Sequence, residues 1–118
     1  MKFYRQQLNH VGAVTAEQLP KSLNGRRIMV AGLIILRQRP STAKGITFCT
    51  MEDETGIANL VVHPRTWERY YSIARRSQAW CVDGKLEKKD GVIHVIARTI
   101  EDLPAKLADL RIRSRDFR

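Results

Sequence analysis

Apolar and polar positions alternate along much of the chain. The longest such run is Arg26 to Leu36. Ile28, Val30, Gly32, Ile34 and Leu36 fall in one phase, and Arg27, Met29, Ala31, Leu33 and Ile35 in the other. Both phases are partly apolar, so the period predicts a strand without assigning its inner face. Gly32 in mid-strand predicts a bend or bulge. Ile46 to Met51 and Ile57 to Val62 are β-prone, and Glu52-Asp53-Glu54-Thr55-Gly56 joins them as a hairpin turn with glycine where positive φ is expected. Ala79 to Glu87 predicts a fourth strand, with Trp80, Val82, Gly84 and Leu86 in phase. Glu87 to Gly91 reads as a tight loop and Val92 to Ala97 as a fifth strand.

A helical period interrupts this pattern once. Pro64 suits a first helical turn. Trp67, Tyr70, Tyr71 and Ala74 then recur at helical spacing, with Arg65, Arg69, Ser72 and Arg76 on the opposite face. The aromatics read as a core plug in preference to a stacking platform. The arginines read as a solvated face in preference to a second binding surface. Residues 1–22 predict a weakly helical lead-in, with Phe3, Leu8 and Val11 on one edge and a short turn stopped by Pro20. Residues 101–118 predict a short helix over Glu101 to Leu110, followed by a mobile basic tail carrying Arg111, Arg113, Arg115 and Arg118.

Three strands, a helix and two further strands over residues 23–100 are the element order of an OB-fold. This is a mainly β, five-stranded Greek-key barrel with a helix between strands 3 and 4. Its ligands lie across strands 2 and 3, between the 1–2 and 4–5 loops. Short helical segments flank it here.

Length and composition are consistent with this. A chain of 118 residues is one domain and buries roughly 65% of its unfolded surface, enough for a core without staples. No apolar run reaches membrane-spanning length, and the polar start Met1-Lys2-Phe3-Tyr4-Arg5 has no signal-peptide core, so a cytoplasmic location is expected. Cys49 and Cys81 sit in separate strand candidates and read as reduced core thiols.

Charge adds the functional hint. The formal net charge is +9, which favours a polyanionic partner. From Arg26 to Lys44 there are five cations and no acid. The expected 1–2 loop carries Arg37, Arg39 and Lys44, and the expected 4–5 loop Lys88 and Lys89. The two loops are expected to meet at the rim of one shallow trough. Arginine forks onto phosphate and stacks on bases, while lysine supplies a point charge. Lys85 and Arg27 would extend the track. Phe48 is the hairpin's one aromatic: either a core residue or the flat stacker that single strands need. A bulge near Cys49 would change the face it takes. Thr50 and Asn59 are polar positions placed to hydrogen-bond a base edge.

Other chemistry is poorly supported. Glu52, Asp53 and Glu54 point to alternate faces and read as a solvated acidic turn, not a metal site. His10, His63 and His94 show no ligand spacing. No nucleophile elbow, phosphate-binding glycine loop or HExxH is present. No catalytic residue, metal or cofactor is expected in these residues.

RQRPSTAKGITFCTMEDETGIANLVVHP, VDGKLEKKDGVIHVIART and SRDF together resemble the C-terminal region of bacterial error-prone DNA polymerases of the C-family, α-subunit type. The similarity runs from about Gly25 to Phe117. The MEDETG turn alone is also similar to OB domains of the replicative α subunit and to anticodon-binding domains of class II aminoacyl-tRNA synthetases. The resemblance implies a fragment of a much larger nucleotidyltransferase. Its metal-binding core would lie upstream, so this chain alone should not polymerise. It also implies a domain that holds single-stranded DNA during damage-induced DNA synthesis and repair, beside the polymerase core and accessory proteins of the damage response. Two alternatives stay open. One is a protein-interaction domain docking through Arg65, Arg69 and Arg76 or the arginine tail. The other is an anticodon-type RNA-binding domain.

Overall fold

The computed structural model describes residues 4–116. A short helix α1 (Arg5–His10) and a 3-10 turn (Ala16–Lys21) lead into the strands β1 (Arg27–Gln38), β2 (Thr47–Asp53) and β3 (Gly56–Val62). Helices α2 (Pro64–Arg69) and α3 (Tyr71–Arg76) follow, then β4 (Ala79–Lys89), β5 (Val92–Asp102) and α4 (Leu103–Asp116). The strands close into a barrel in the order β1-β2-β3-β5-β4, with β3 and β5 the one parallel pair among these five strands.

Closure depends on β1 serving two neighbours. Arg27 to Leu33 pair with β4, and Leu33 to Gln38 with β2. The corner requires close backbone approach. A Cβ on Gly32 would lie 2.4 Å from the Glu52 carbonyl oxygen, and one on Gly84 would lie 2.4 Å from that of Ile96. Gly32 is thus a point of contact between strands. The bulge itself falls between Ile34 and Leu36.

The barrel interior holds Val30, Met51, Leu60, Val82, Leu86, Val95 and Ile100 around Trp80, which is fully buried. Trp80 Nε1 donates to the Ser77 carbonyl (3.0 Å), so its polar atom is satisfied inside the core. A second apolar cluster lies outside the barrel. Leu8 of α1 and Leu103 and Leu107 of α4 pack with Ala31 and Cys81. The flanking helices therefore cover the outer face shared by β1 and β4.

The helix between β3 and β4 differs from the expected single amphipathic one. It breaks at Tyr70 (φ −107°, ψ 25°). Trp67, Tyr70, Ile73 and Ala74 face the core, whereas Tyr71 is exposed. The break rotates α3 relative to α2, so the spacing that links Trp67 to Tyr71 in a continuous helix no longer holds.

The acidic turn is exposed at Glu52, Glu54 and Thr55, as expected, but two of its carboxylates also have specific partners. Asp53 accepts hydrogen bonds from Thr55 N, Thr55 Oγ1 and Gly56 N within the turn, and from Ala16 N of the lead-in. Glu54 receives a two-pronged bond from Arg5, with both contacts at 2.8 Å. These bonds tie the lead-in to the β2–β3 hairpin. Leu8 and Leu19 of the lead-in are buried, while Val11 is exposed and Phe3 lies outside the described residues. At the other terminus, strand runs on to Asp102 before α4 begins. Arg111, Arg113 and Arg115 fall in the last turns of α4, where side chains are not described, and Arg118 lies outside the described residues. Among the described residues, no helix is long and apolar enough to cross a membrane.

Candidate nucleic-acid interface

Strand register decides which residues share the outer face. Thr47, Cys49 and Met51 point inward with Ala58, Leu60 and Val62, and all six are buried. Phe48, Thr50, Asn59 and Val61 therefore point outward. Phe48 lies opposite Val61, and Thr50 opposite Asn59. The face of Phe48, ambiguous from sequence, is the outer one.

The register extends these pairs around the barrel. Gln38 of β1 pairs with Phe48, Val61 is level with Ile96, and Ile96 pairs with Lys85. One step along, Leu36 pairs with Thr50, and His94 pairs with Glu87. Leu60 is level with Val95, which brings His94 alongside Asn59. Lys85, Phe48, Thr50 and Asn59 thus belong to two adjacent rows of one outer surface. His94 and Gln38 complete those rows. Of the two, Gln38 carried no sequence signal.

The surface has a groove at one end. A cavity of about 320 Å³ opens between the lead-in and the barrel, lined by Leu19, Pro20, Ile57, Asn59, Val92 and Ile93. Asn59 thus links the paired Thr50 to a mixed apolar and polar recess.

The loops do not meet at one rim. The β1–β2 connection enters β2 at Thr47, which pairs with Val62 at the far end of the hairpin. The β4–β5 connection opens beside Ile57, near the Gly56 end. Along the strands this separates them by roughly 17 Å at the usual rise per residue. The two connections bracket the β2–β3 face from opposite ends, because β5 runs parallel to β3 and starts level with the hairpin turn.

The β4–β5 connection is also shorter than expected. β4 continues through Lys89, and Asp90 (φ 53°) and Gly91 (φ 77°) alone make the turn. Two left-handed residues with Asp-Gly sequence are the type I′ hairpin solution. Lys88 and Lys89 are consequently strand residues. Lys88 shares the phase of inward Leu86, and its ammonium donates to the Pro20 carbonyl (2.7 Å). Lys89 is exposed in the outward phase.

The β1–β2 cations divide as well. Arg37 lies opposite inward-facing Cys49 and stacks over Trp80, 5.5 Å from the ring centroid. It donates to the carbonyls of Ala74 (3.2 Å) and Ser77 (2.6 Å) at the end of α3. Arg39 donates to Thr47 Oγ1 (3.1 Å) and lies 5.3 Å from the Trp67 ring centroid. Lys44 is exposed, in a left-handed conformation (φ 51°) ahead of Gly45. Arg27, by contrast, is ion-paired with Asp83 (2.9 Å).

Cys49 and Cys81 are free and buried, and burial pushes both thiols up to about 11. They are packing residues at neutral pH.

Residues 28–103 match the family described as the OB-fold nucleic acid binding domain. The chain belongs to that family. This OB domain is 54% identical, over its whole length, to part of an error-prone DNA polymerase of Rhodopirellula baltica, and spans 10% of that protein. It is 44% identical over 92% of its length to part of the error-prone DNA polymerase of Caulobacter vibrioides, again 10% of the relative. The chain thus spans about a tenth of the curated relatives it matches. Among solved structures, asparaginyl-tRNA synthetase of Pyrococcus horikoshii superposes with a TM-score of 0.63 at 21% identity, covering 75% of the OB domain and 22% of the synthetase chain. That likeness is one of fold.

Proposed function

We propose that the OB domain is a single-stranded DNA binding module, and that it serves within an error-prone DNA polymerase during damage-induced DNA synthesis and repair in the bacterial cytoplasm. Bases lie on the outer face of β2, β3 and β5. Phe48 supplies the stacking surface, and Thr50 and Asn59 supply hydrogen bonds at base edges. Lys44, Lys85 and Lys89 meet the phosphates. None of these contacts needs a metal or cofactor.

One observation carries the reading. An aromatic and two amide- or hydroxyl-bearing side chains stand together on the part of the barrel surface that α1 and α4 leave open. Family membership and the polymerase relatives support the ligand class. The polymerase core and accessory proteins of the parent enzyme are the neighbouring partners, with the chain near the parent's C-terminus.

Titration of the chain with oligo-dT at several salt concentrations tests this. If about four phosphates are neutralised, log affinity falls with log salt at a slope of about −3. Phe48→Ala should weaken binding by about fivefold or more, the low end of what one stacked base contributes being about 1 kcal/mol. Affinity indifferent to both salt and Phe48 overturns the reading. Competition between matched DNA and RNA strands separates DNA from anticodon-type RNA binding, since only RNA offers a 2′-hydroxyl.

A second reading has its own support. Leu33, Ile35 and Leu36, each about half exposed, form an apolar strip at the β1 bulge. Such a strip suits docking on the rest of the parent polymerase. Ile35→Ser, together with charge reversal at Arg65, Arg69 and Arg76, would then reduce capture of that core while leaving oligo-dT affinity unchanged.

A further inference from the structure

At the barrel end closed by α2 and α3 lies a separate cleft of about 370 Å³. Arg37, Arg39, Thr47, Trp67, Tyr71 and Arg75 line it. We propose that this cleft is a phosphate-binding pocket. Only the identity of its natural ligand, a phosphate group of the bound strand, rests on the strand-binding reading above.

Among the described residues, three guanidinium groups line the cleft and no carboxylate does. Ion pairs among the described residues lie elsewhere, at Arg5, Arg27 and Lys106. Neutral groups hold all three arginines in place. Arg37 is fixed by the Ala74 and Ser77 carbonyls. Arg39 is fixed by Thr47 Oγ1 and the face of Trp67. Arg75 Nη1 donates to the Tyr71 hydroxyl (3.0 Å), and its guanidinium lies 5.3 Å from the centroid of that ring.

Among the described residues, the partners that orient these arginines are therefore neutral. A guanidinium has five N–H donors. Arg39 and Arg75 each use one on the contacts above, and Arg37 uses two. The remaining donors, gathered around a cleft, match the several oxygens of a phosphate. A solvated arginine face would need neither the stacked rings nor the backbone anchors. The cleft also adjoins the strand path. Gln38, which pairs with Phe48 on the outer face, contributes to its lining. A strand leaving Phe48 past Gln38 would bring a phosphate to it.

The test is an NMR titration of the 118-residue chain with inorganic phosphate at constant ionic strength. Saturable shifts of the Trp67 indole and of the Arg39 and Arg75 side-chain N–H groups are expected. Arg75→Gln, on an exposed helix position, should weaken phosphate by about fivefold, whereas Phe48→Ala should not. Oligo-dT with and without a 5′-phosphate then identifies the source. If the phosphorylated strand binds more tightly and Arg75→Gln erases the difference, the pocket takes a strand end. If both strands bind alike and both weaken in Arg75→Gln, it takes an internal phosphodiester. Pocket shifts that persist when oligo-dT ignores Phe48 would leave the pocket standing and remove only the strand path. Phosphate that moves no pocket resonance, or that titrates identically in Arg75→Gln, overturns the proposal.

Discussion

Single residues set the tightest constraints on this barrel. Gly32 admits no side chain, because its Cβ position is already within 2.4 Å of a backbone oxygen of β2. That neighbour is strand backbone and cannot rotate away. Gly32→Ala should therefore destabilise the domain by about 2 kcal/mol, in the range for overpacked sites, read as a lowered urea midpoint. Gly12→Ala is a poor control despite its open surroundings, since its φ of 82° is itself unfavourable for alanine. At this scale the sequence was partly legible. Thr50 and Asn59 were expected to point outward together, and their pairing follows from the period of two along a hairpin. Phe48 was ambiguous because one bulge inverts every later position. The bulge lies in β1, leaving the β2–β3 ladder in phase. Gly32 was recognised as special, but proximity of another strand and a bulge leave the same mark on a sequence.

At the scale of elements, ends decide more than middles. α3 is six residues long, too short to hold itself together, since isolated helices of fewer than about twelve residues are marginal. Arg37 supplies part of what it lacks. Its guanidinium satisfies the carbonyls of Ala74 and Ser77, where the helix dipole favours a cation. Arg37→Ala should cost about 1–2 kcal/mol through loss of these charge-assisted bonds. It should also raise amide exchange in residues 71–77 ahead of the strands, as hydrogen exchange would show. This role was hidden in the sequence. A basic loop looks the same whether its charges reach solvent, a ligand or a helix end thirty-seven residues away. Strand order and the hairpins were legible, since alternation and turn residues are local. The broken helix and the shortened β4–β5 connection were not. Both depend on where a neighbouring element stops the pattern.

For the whole molecule, the lead-in and α4 are integral to the domain surface. They bury the outer side of β1 and β4 and leave Phe48, Thr50 and Asn59 of β2 and β3 at least partly exposed. Arg5 and Glu54 secure the lead-in. The bond from Arg5 holds the Glu54 carboxyl down at about 2, well below its ordinary 4.5. A carboxylate depressed on folding adds stability that is complete above the unfolded value and fades as pH falls from about 4.5 toward 2. The stability difference between the native chain and Glu54→Gln, from urea unfolding, should therefore be largest near neutrality and shrink between pH 5 and 3. A difference that stays constant with pH would mean that the contact contributes by shape alone. The carboxylates of this turn were expected to be solvated, and Glu52 and Glu54 are exposed, but the pairing of Glu54 was not foreseen. The partner of Glu54 lies forty-nine residues earlier in the chain, beyond the reach of any local pattern.

A turn of only Asp90 and Gly91 between β4 and β5 has a consequence for traffic. Such a connection forms a ledge and has no reach to fold over a visitor. If a single strand binds as proposed, it would settle sideways onto the sheet and lift off again without threading through an aperture or waiting for a lid. On the proposed reading its dwell time would then be governed by the side chains beneath it, and a bound strand would be released or passed on in mid-length.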